Sequence, residues 1–427
     1  MPIRPEPLRA CATPSARHSF PRGALRVRVL RPAVAAVALA AAGAASAQAL
    51  PPPPINARSW LLVDVTSGQV LASQQPDMKV EPASLTKLMT AYLAFNAVKE
   101  GRLKLDQRPP VSRVAWKAEG SRMFVAPDKP ATVEELLNGM IVQSGNDASV
   151  ILAEAVAGSE QTFAQAMNVA AKRLGMANSN FVNSTGLPDA QHYSTAGDLA
   201  RLAIRIIEEH PQFYPLYSRK DYTYNGITQA NRNRLLLTDP SVDGMKTGHT
   251  DAAGWCLVTS ARREQAPAVL PGAAGGQPAA APGAQSAPFQ RRLLSVVLGA
   301  PSDSLRLSES QKLLNYGFQN FDAVRLYGQG QPAGSYEVWK GAKGALPAGF
   351  ERDVVITVPK GQAGLLKPEI ERVQPLVAPI AKGQRIGTLR VKLGETVVAE
   401  RPMVALEDVA QGGWVSRTWD SIRLMLK

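Results

Sequence analysis

Glu81-Pro82-Ala83-Ser84-Leu85-Thr86-Lys87-Leu88-Met89-Thr90-Ala91-Tyr92 opens a segment whose apolar residues recur at helical spacing from Leu85 to Val98. Glu81-Pro82-Ala83 ahead of it puts Ser84 in the first turn of the predicted helix, where backbone N–H groups lack partners and the helix dipole favours negative charge. A developing oxyanion would be stabilised there. Lys87, three residues on, shares the face of Ser84. The same two residues also fit a plain N-cap serine and a solvated lysine, so the choice rests on what a nucleophile requires.

A serine hydroxyl is a weak nucleophile at neutral pH and needs a base, most often histidine. The four histidines are His18, His192, His210 and His249, and no Gly-x-Ser-x-Gly elbow surrounds any serine. A Ser84–Lys87 pair is the better candidate. Lys87 accepts a proton only if it is neutral part of the time, which burial or a second nearby cation would bring about.

This helix heads a helical block that continues at Val133–Val142, Ala148–Val156, Gln161–Leu174 and Ala196–Ile207. Extended runs flank the block. Ser59–Val65 and Val70–Ser73 read as a hairpin around Thr66–Gln69, and Gly254–Ala261 and Arg292–Leu298 read as two more strands. Between the latter two, residues 264–289 are largely Ala, Gly, Pro and Gln and read as a disordered loop insertion. The expected unit is α/β (α+β), with a sheet assembled from both ends of the segment that brings remote residues together. From Asp322 the pattern changes to short β runs, among them Ser335–Trp339, Asp353–Val358, Ile386–Leu393 and Glu395–Glu400, which predict a small all-β domain over 322–408.

Two further strings carry candidate chemistry. Ser144-Gly145-Asn146 lies in a short loop between helical runs. Ser144 can relay a proton and Asn146 can hold an amide, although Gly145 can equally end one helix while Asn146 or Asp147 caps the next. Lys246-Thr247-Gly248-His249 precedes the Gly254 strand and reads as a strand edge. Gly248 permits close approach by an extended ligand, Lys246 and Thr247 supply donors for a carboxylate, and Lys246 is the candidate second cation for Lys87. The His249 backbone N–H is a candidate second oxyanion donor beside that of Ser84.

The composition bounds these readings. The chain has 427 residues and a formal net charge of +13, but residues 1–47 hold seven Arg against one Glu, so +7 remains without them. Those residues resemble an export signal, with an Arg-rich start, an apolar stretch over Pro32–Ala42 and small residues ending at Ala47. The scattered residual charge, together with export, argues against a nucleic-acid partner. Cys11 leaves with the signal, so Cys256 stands alone in an apolar strand and no intrachain disulfide forms. Residues 409–427 are read as an anchor segment in which Gly413–Lys427 forms an amphipathic helix that carries Trp414, Val415, Trp419, Ile422, Met425 and Leu426 on one face. At about 20 Å it is too short to span a bilayer, so it is read as lying in the membrane interface, with packing on its own domain as the other reading.

The strings EPASLTKLMTAY from Glu81, MIVQSGNDAS from Met140, NRNRLL from Asn231 and VDGMKTGHTDAAGW from Val242 resemble the low-molecular-mass penicillin-binding proteins that are D-alanyl-D-alanine carboxypeptidases. The resemblance implies a β-lactamase/transpeptidase-like catalytic domain over 48–321, with an antiparallel sheet flanked by helices. It implies Ser84 as acylated nucleophile, Lys87 as its base and Ser144 as proton relay. Asn146, Lys246 and Thr247 become substrate contacts, and Arg232 and Arg306 the basic residues near the terminal carboxylate. Removal of the terminal D-alanine from the peptidoglycan stem peptide, trapping by β-lactams, no metal or organic cofactor, and attachment to the outer face of the cytoplasmic membrane are likewise implied. The insertion at 264–289 and Thr185-Gly186-Leu187-Pro188, where the family commonly has a His-Gly-Leu-Asp-like string, depart from the pattern. An endopeptidase, a β-lactamase and a feebly catalytic wall-binding protein are the competing readings.

Overall fold

The structure, a computed structural model, describes residues 51–266 and 288–425. The export signal expected over 1–47 and the body of the expected loop insertion lie outside the described residues. The chain begins with a hairpin, β1 (Ser59–Asp64) and β2 (Gln69–Gln74), and passes through a 3-10 turn (Ala83–Thr86) into α1 (Lys87–Lys99). The helical block follows as α2 (Arg113–Trp116), α3 (Val133–Val142), α4 (Asn146–Ala157), α5 (Glu160–Arg173) and α6 (Ala196–Glu209). A small hairpin, β3 (Asp221–Tyr224) and β4 (Ile227–Ala230), and a single turn, α7 (Leu235–Thr238), lead to β5 (Val242–Thr250), β6 (Gly254–Gln265), β7 (Phe289–Ala300) and α8 (Asp303–Asn320).

The five long strands form one antiparallel sheet in the order β2-β1-β7-β6-β5, so the first hairpin and the last three strands close on each other as expected. Alternation along the strands divides the core. Leu61, Val63, Leu294, Val296 and Leu298 face the helical block, while Trp60, Leu62, Leu293 and Val297 face α8 with Leu313 and Leu314. All of β1 is buried, as suits a strand covered on both faces. α1 runs through the middle of the larger core and is buried on nearly every side, so its apolar pattern belongs to a central helix rather than an amphipathic one.

Local signals set the helix ends around the site. Thr132 and Glu135 form a reciprocal capping box on α3: Thr132 Oγ1 accepts from the Glu135 N–H at 3.1 Å, and Glu135 Oε2 accepts from the Thr132 N–H at 2.7 Å. α4 ends on Gly158 in the left-handed region.

Three expectations change. The helix after Glu81 starts as a 3-10 turn, so Ser84 precedes the α-helix and Lys87 is the first residue of α1. The insertion is shorter than 264–289 at both ends: Glu264 pairs with Gln290 and Gln265 with Phe289 in an extended arm. Residues 262–265 alternate between exposed and half-buried, so ladder hydrogen bonds rather than apolar burial hold that arm, and a count of apolar residues stops short at Ala261. The β domain also runs past Asp408, because Val409 pairs with Ile380 inside its core and Gln411 with Gly341.

The second domain is all-β apart from one short turn. It comprises β8 (Phe321–Tyr327), β9 (Pro332–Trp339), β10 (Ala345–Gly349), β11 (Val354–Pro359), β12 (Leu366–Arg372), β13 (Leu376–Val377), β14 (Arg385–Leu393) and β15 (Thr396–Ala405). A terminal helix, α9 (Trp414–Met425), follows. No helix among the described residues is long and apolar enough to cross a membrane.

Candidate active site

Lys87 is buried at the head of α1, and its Nζ lies 3.0 Å from Ser84 Oγ and 2.6 Å from the Thr185 carbonyl. The 3-10 turn makes this contact possible by stacking residues three apart above one another. The Thr185 carbonyl is aimed by a turn in which Asn183 Oδ1 accepts the N–H groups of Thr185 (3.2 Å) and Gly186 (2.7 Å). Gly186 has φ +81°, and a Cβ there would stand 1.8 Å from the Ala83 carbonyl oxygen, so only glycine lets this turn close on the Ser84 turn.

The Lys87 amine is lowered to about 7, by burial first and by the Arg232 guanidinium second, against an opposing pull from Asp147 and Glu160. The sequence reading assigned the role of second cation to Lys246. Lys246 is itself buried and held well below the ordinary lysine range by burial and then by Lys87, Arg232 and Arg306. Its Nζ donates to the Thr247 carbonyl at 3.0 Å.

Ser144 sits between α3 and α4 at φ +68°, a region non-glycine residues seldom occupy and one associated with functional strain. Its Oγ is buried without a hydrogen-bond partner, as is Asn146 Oδ1. Asn146 Nδ2 donates to the Glu119 carbonyl at 2.5 Å. Neither Asn146 nor Asp147 caps α4, whose N-cap is Gly145. Asp147 instead accepts the N–H groups of Met123 (2.9 Å) and Val125 (3.1 Å), which fixes the loop carrying Gly120 and Ser121.

Among the described residues, β5 is an edge strand paired only with β6. Gly248 was read as room for a ligand, but a Cβ there would stand 3.0 Å from the Pro82 carbonyl oxygen, so its role is to let β5 lie against the Ser84 turn. His249 is exposed and stacks on Trp255, its cross-strand partner, with ring centroids 3.8 Å apart. Arg306 lies on α8; it donates to the Gly248 carbonyl at 3.0 Å, pairs with Asp303 and packs over the Trp255 ring.

Ser84, Ser144, Asn146, Thr247, Gly248, His249, Arg232 and Arg306 line one cleft of about 400 Å³, with Lys87 and Lys246 buried. Every candidate residue is thus gathered at one place. The motif reading missed the Thr185 carbonyl, the Gly120–Ser121 turn and Trp255, which also contribute. A backbone carbonyl has no side-chain signature, whereas Trp255 was recoverable from its register opposite His249. Asp303 is the one carboxylate among the described lining residues, and Arg306 neutralises it.

A serine activated by a buried, partly neutral lysine defines a class, the serine hydrolases that work without a catalytic histidine. The D-alanyl-D-alanine carboxypeptidase family matches residues 44–271, and the penicillin-binding protein 5 C-terminal domain matches residues 321–411. D-alanyl-D-alanine carboxypeptidase DacC of Escherichia coli K12 is 37% identical over 385 residues, which span 88% of this chain and 90% of that protein. Penicillin-binding protein 5 from Haemophilus influenzae superposes with a TM-score of 0.73 at 36% identity, over 85% of this chain and 100% of that one. Penicillin-binding protein D2 from Listeria monocytogenes, in its ampicillin-bound form, gives 0.53 at 29% identity, over 63% of this chain and 100% of that one. The chain belongs to the D-alanyl-D-alanine carboxypeptidase family and is a serine peptidase.

Proposed function

We propose that this protein removes the terminal D-alanine from peptidoglycan pentapeptides through an acyl-enzyme on Ser84. Neutral Lys87 takes the Ser84 proton as Oγ attacks the carbonyl of the penultimate D-alanine. Ser144 passes a proton to the departing amine, and water then releases the shortened peptide. Arg232, Lys246 and Thr247 receive the terminal carboxylate, Asn146 the substrate amide, and the Ser84 and His249 N–H groups the oxyanion. Arg306 acts on that carboxylate side while also holding the Gly248 carbonyl. The observation that carries this reading is the Lys87 amine poised between Ser84 Oγ and a backbone carbonyl, with its pKa brought to about 7.

The same serine would be acylated by β-lactams, as the ampicillin-bound Listeria relative supports. A fluorescent penicillin should label the wild type once and Ser84→Ala not at all; labelling that persists in the variant would remove Ser84 as nucleophile. D-alanine released from a pentapeptide analogue, and abolished by the same substitution, tests the reaction itself.

The proposal extends to location: residues 1–47 direct export to the periplasm, and α9 attaches the protein to the outer face of the cytoplasmic membrane. α9 rests on the β domain through Asp420, which accepts the Lys340 N–H at 2.6 Å, and through Arg423 over the Trp339 ring. This leaves Trp414, Trp419 and Ile422 exposed at 79%, 63% and 49%, the apolar face a headgroup layer would cover.

A further inference from the structure

The segment Asn231-Arg232-Asn233-Arg234 alternates buried amides with exposed guanidinium groups. Asn231 Nδ2 donates to the Arg219 carbonyl at 2.9 Å and Asn233 Nδ2 to the Gly244 carbonyl at 3.0 Å, so the two asparagines fix the backbone from which both arginines reach the cleft. Neither guanidinium has a hydrogen-bond or ion-pair partner among the described residues. Both line the cleft, and Arg232 is among the cations that depress Lys87, Lys246 and Arg306 whereas Arg234 is not. The cleft thus carries, besides the arginine whose charge bears on the reacting lysines, a second unpartnered arginine in its lining.

The terminal carboxylate already has Arg232, Lys246, Thr247 and Arg306 to receive it, and the two terminal D-alanines carry only methyl groups. The first position on the acyl side with a long polar side chain is the third residue of the stem peptide. We propose that Arg234 is a specificity residue for a second carboxylate at that position. The enzyme would then favour stem peptides whose third residue is a diamino diacid over those with lysine there. This rests on the carboxypeptidase reading above, which it refines. A planar guanidinium forms a paired hydrogen-bonded contact with a carboxylate that an ammonium-bearing side chain cannot replace.

The test is the ratio of kcat/KM for a diaminopimelate pentapeptide to that for its lysine counterpart, measured on the wild type, Arg234→Gln and Arg234→Lys. Arg234→Gln should lower the ratio about five-fold, the size of one partly solvated ion pair, and Arg234→Lys should lower it less. The wild-type ratio should also fall as salt is raised. An unchanged ratio in Arg234→Gln would overturn the proposal, whether both peptides slow together, as for an arginine that serves the terminal carboxylate, or neither does, as for an idle surface arginine. A parallel arm compares acylation by a penicillin with a side-chain carboxylate and by benzylpenicillin. Loss of the carboxypenicillin's advantage in Arg234→Gln supports an acyl-side subsite, and an unchanged advantage counts against it. Failure of the wild type to be acylated by either compound would instead sink the underlying carboxypeptidase reading.

Discussion

At neutral pH the Lys87 amine is divided between charged and neutral forms, because burial and the Arg232 guanidinium bring its pKa to about 7. Only the neutral form can take the Ser84 proton. The acylation rate should therefore rise about ten-fold per pH unit below pH 7 and level off above it, a course that timed fluorescent-penicillin labelling from pH 5 to 9 would follow. A flat profile over that range would count against Lys87 as base. Lys87→Arg keeps a positive charge near Ser84 but remains protonated throughout. It should lose at least about a hundred-fold in acylation at every pH, so the loss would belong to proton acceptance rather than to charge.

Among the elements, the turn at residues 183–187 and the Ser84 turn work as one piece. Gly186 lies against Ala83, Thr185 supplies a carbonyl to Lys87, and Thr86 Oγ1 shares a hydrogen bond with His192 Nε2 at 2.8 Å. Gly186→Ala would add a methyl group where 1.8 Å is available, at a φ that L-residues seldom adopt. The turn must withdraw, with a loss of about 1–3 kcal/mol of stability and of most acylation activity. Thermal unfolding combined with penicillin labelling would register both, and a variant that labels at the wild-type rate would show that the Thr185 carbonyl does not matter. Of the helix boundaries near the site, those of α3 were readable in the chain itself, whereas α1 begins at Lys87 rather than Leu85 and α4 at Asn146 rather than Ala148. The helical period places Val133–Val142, which is α3 to the residue, and the structure adds a capping box at its N-terminus. The 264–265 and 289–290 arm was not readable, because residues held only by ladder hydrogen bonds leave no apolar pattern.

Across the whole molecule, the two domains are joined at β1–β2 and β11. Asp64 is fully buried, pairs with Arg291 at 2.7 Å and accepts from Thr357 Oγ1 at 2.8 Å, while Gln69 exchanges two hydrogen bonds with the Thr357 backbone. Asp64→Ala would strand the Arg291 guanidinium in the interior and should cost about 3–5 kcal/mol, seen as a marked fall in Tm. A change of less than 1 °C would mean that water reaches the pair. α9 belongs to the same scale. Because the β domain extends through Gln411, a chain ended at Gly413 should keep its fold and penicillin labelling while moving from the membrane to the soluble fraction. Unchanged fractionation would reject α9 as the anchor.

Local order along the chain, by itself, determined the succession of strand pair, helical block, strands and β domain, and it singled out Ser84, Lys87, Ser144, Asn146, Lys246 and Thr247 as the candidates for the chemistry, with their roles supplied by the family resemblance. Periodicity and turn residues act over a few positions and are written in side chains. Only tertiary structure decided which cation depresses Lys87, that the Thr185 carbonyl holds its amine, and that Gly248 serves the contact between β5 and the Ser84 turn. Those outcomes depend on backbone groups and on distances between segments far apart in the chain, which packing fixes and no local pattern records.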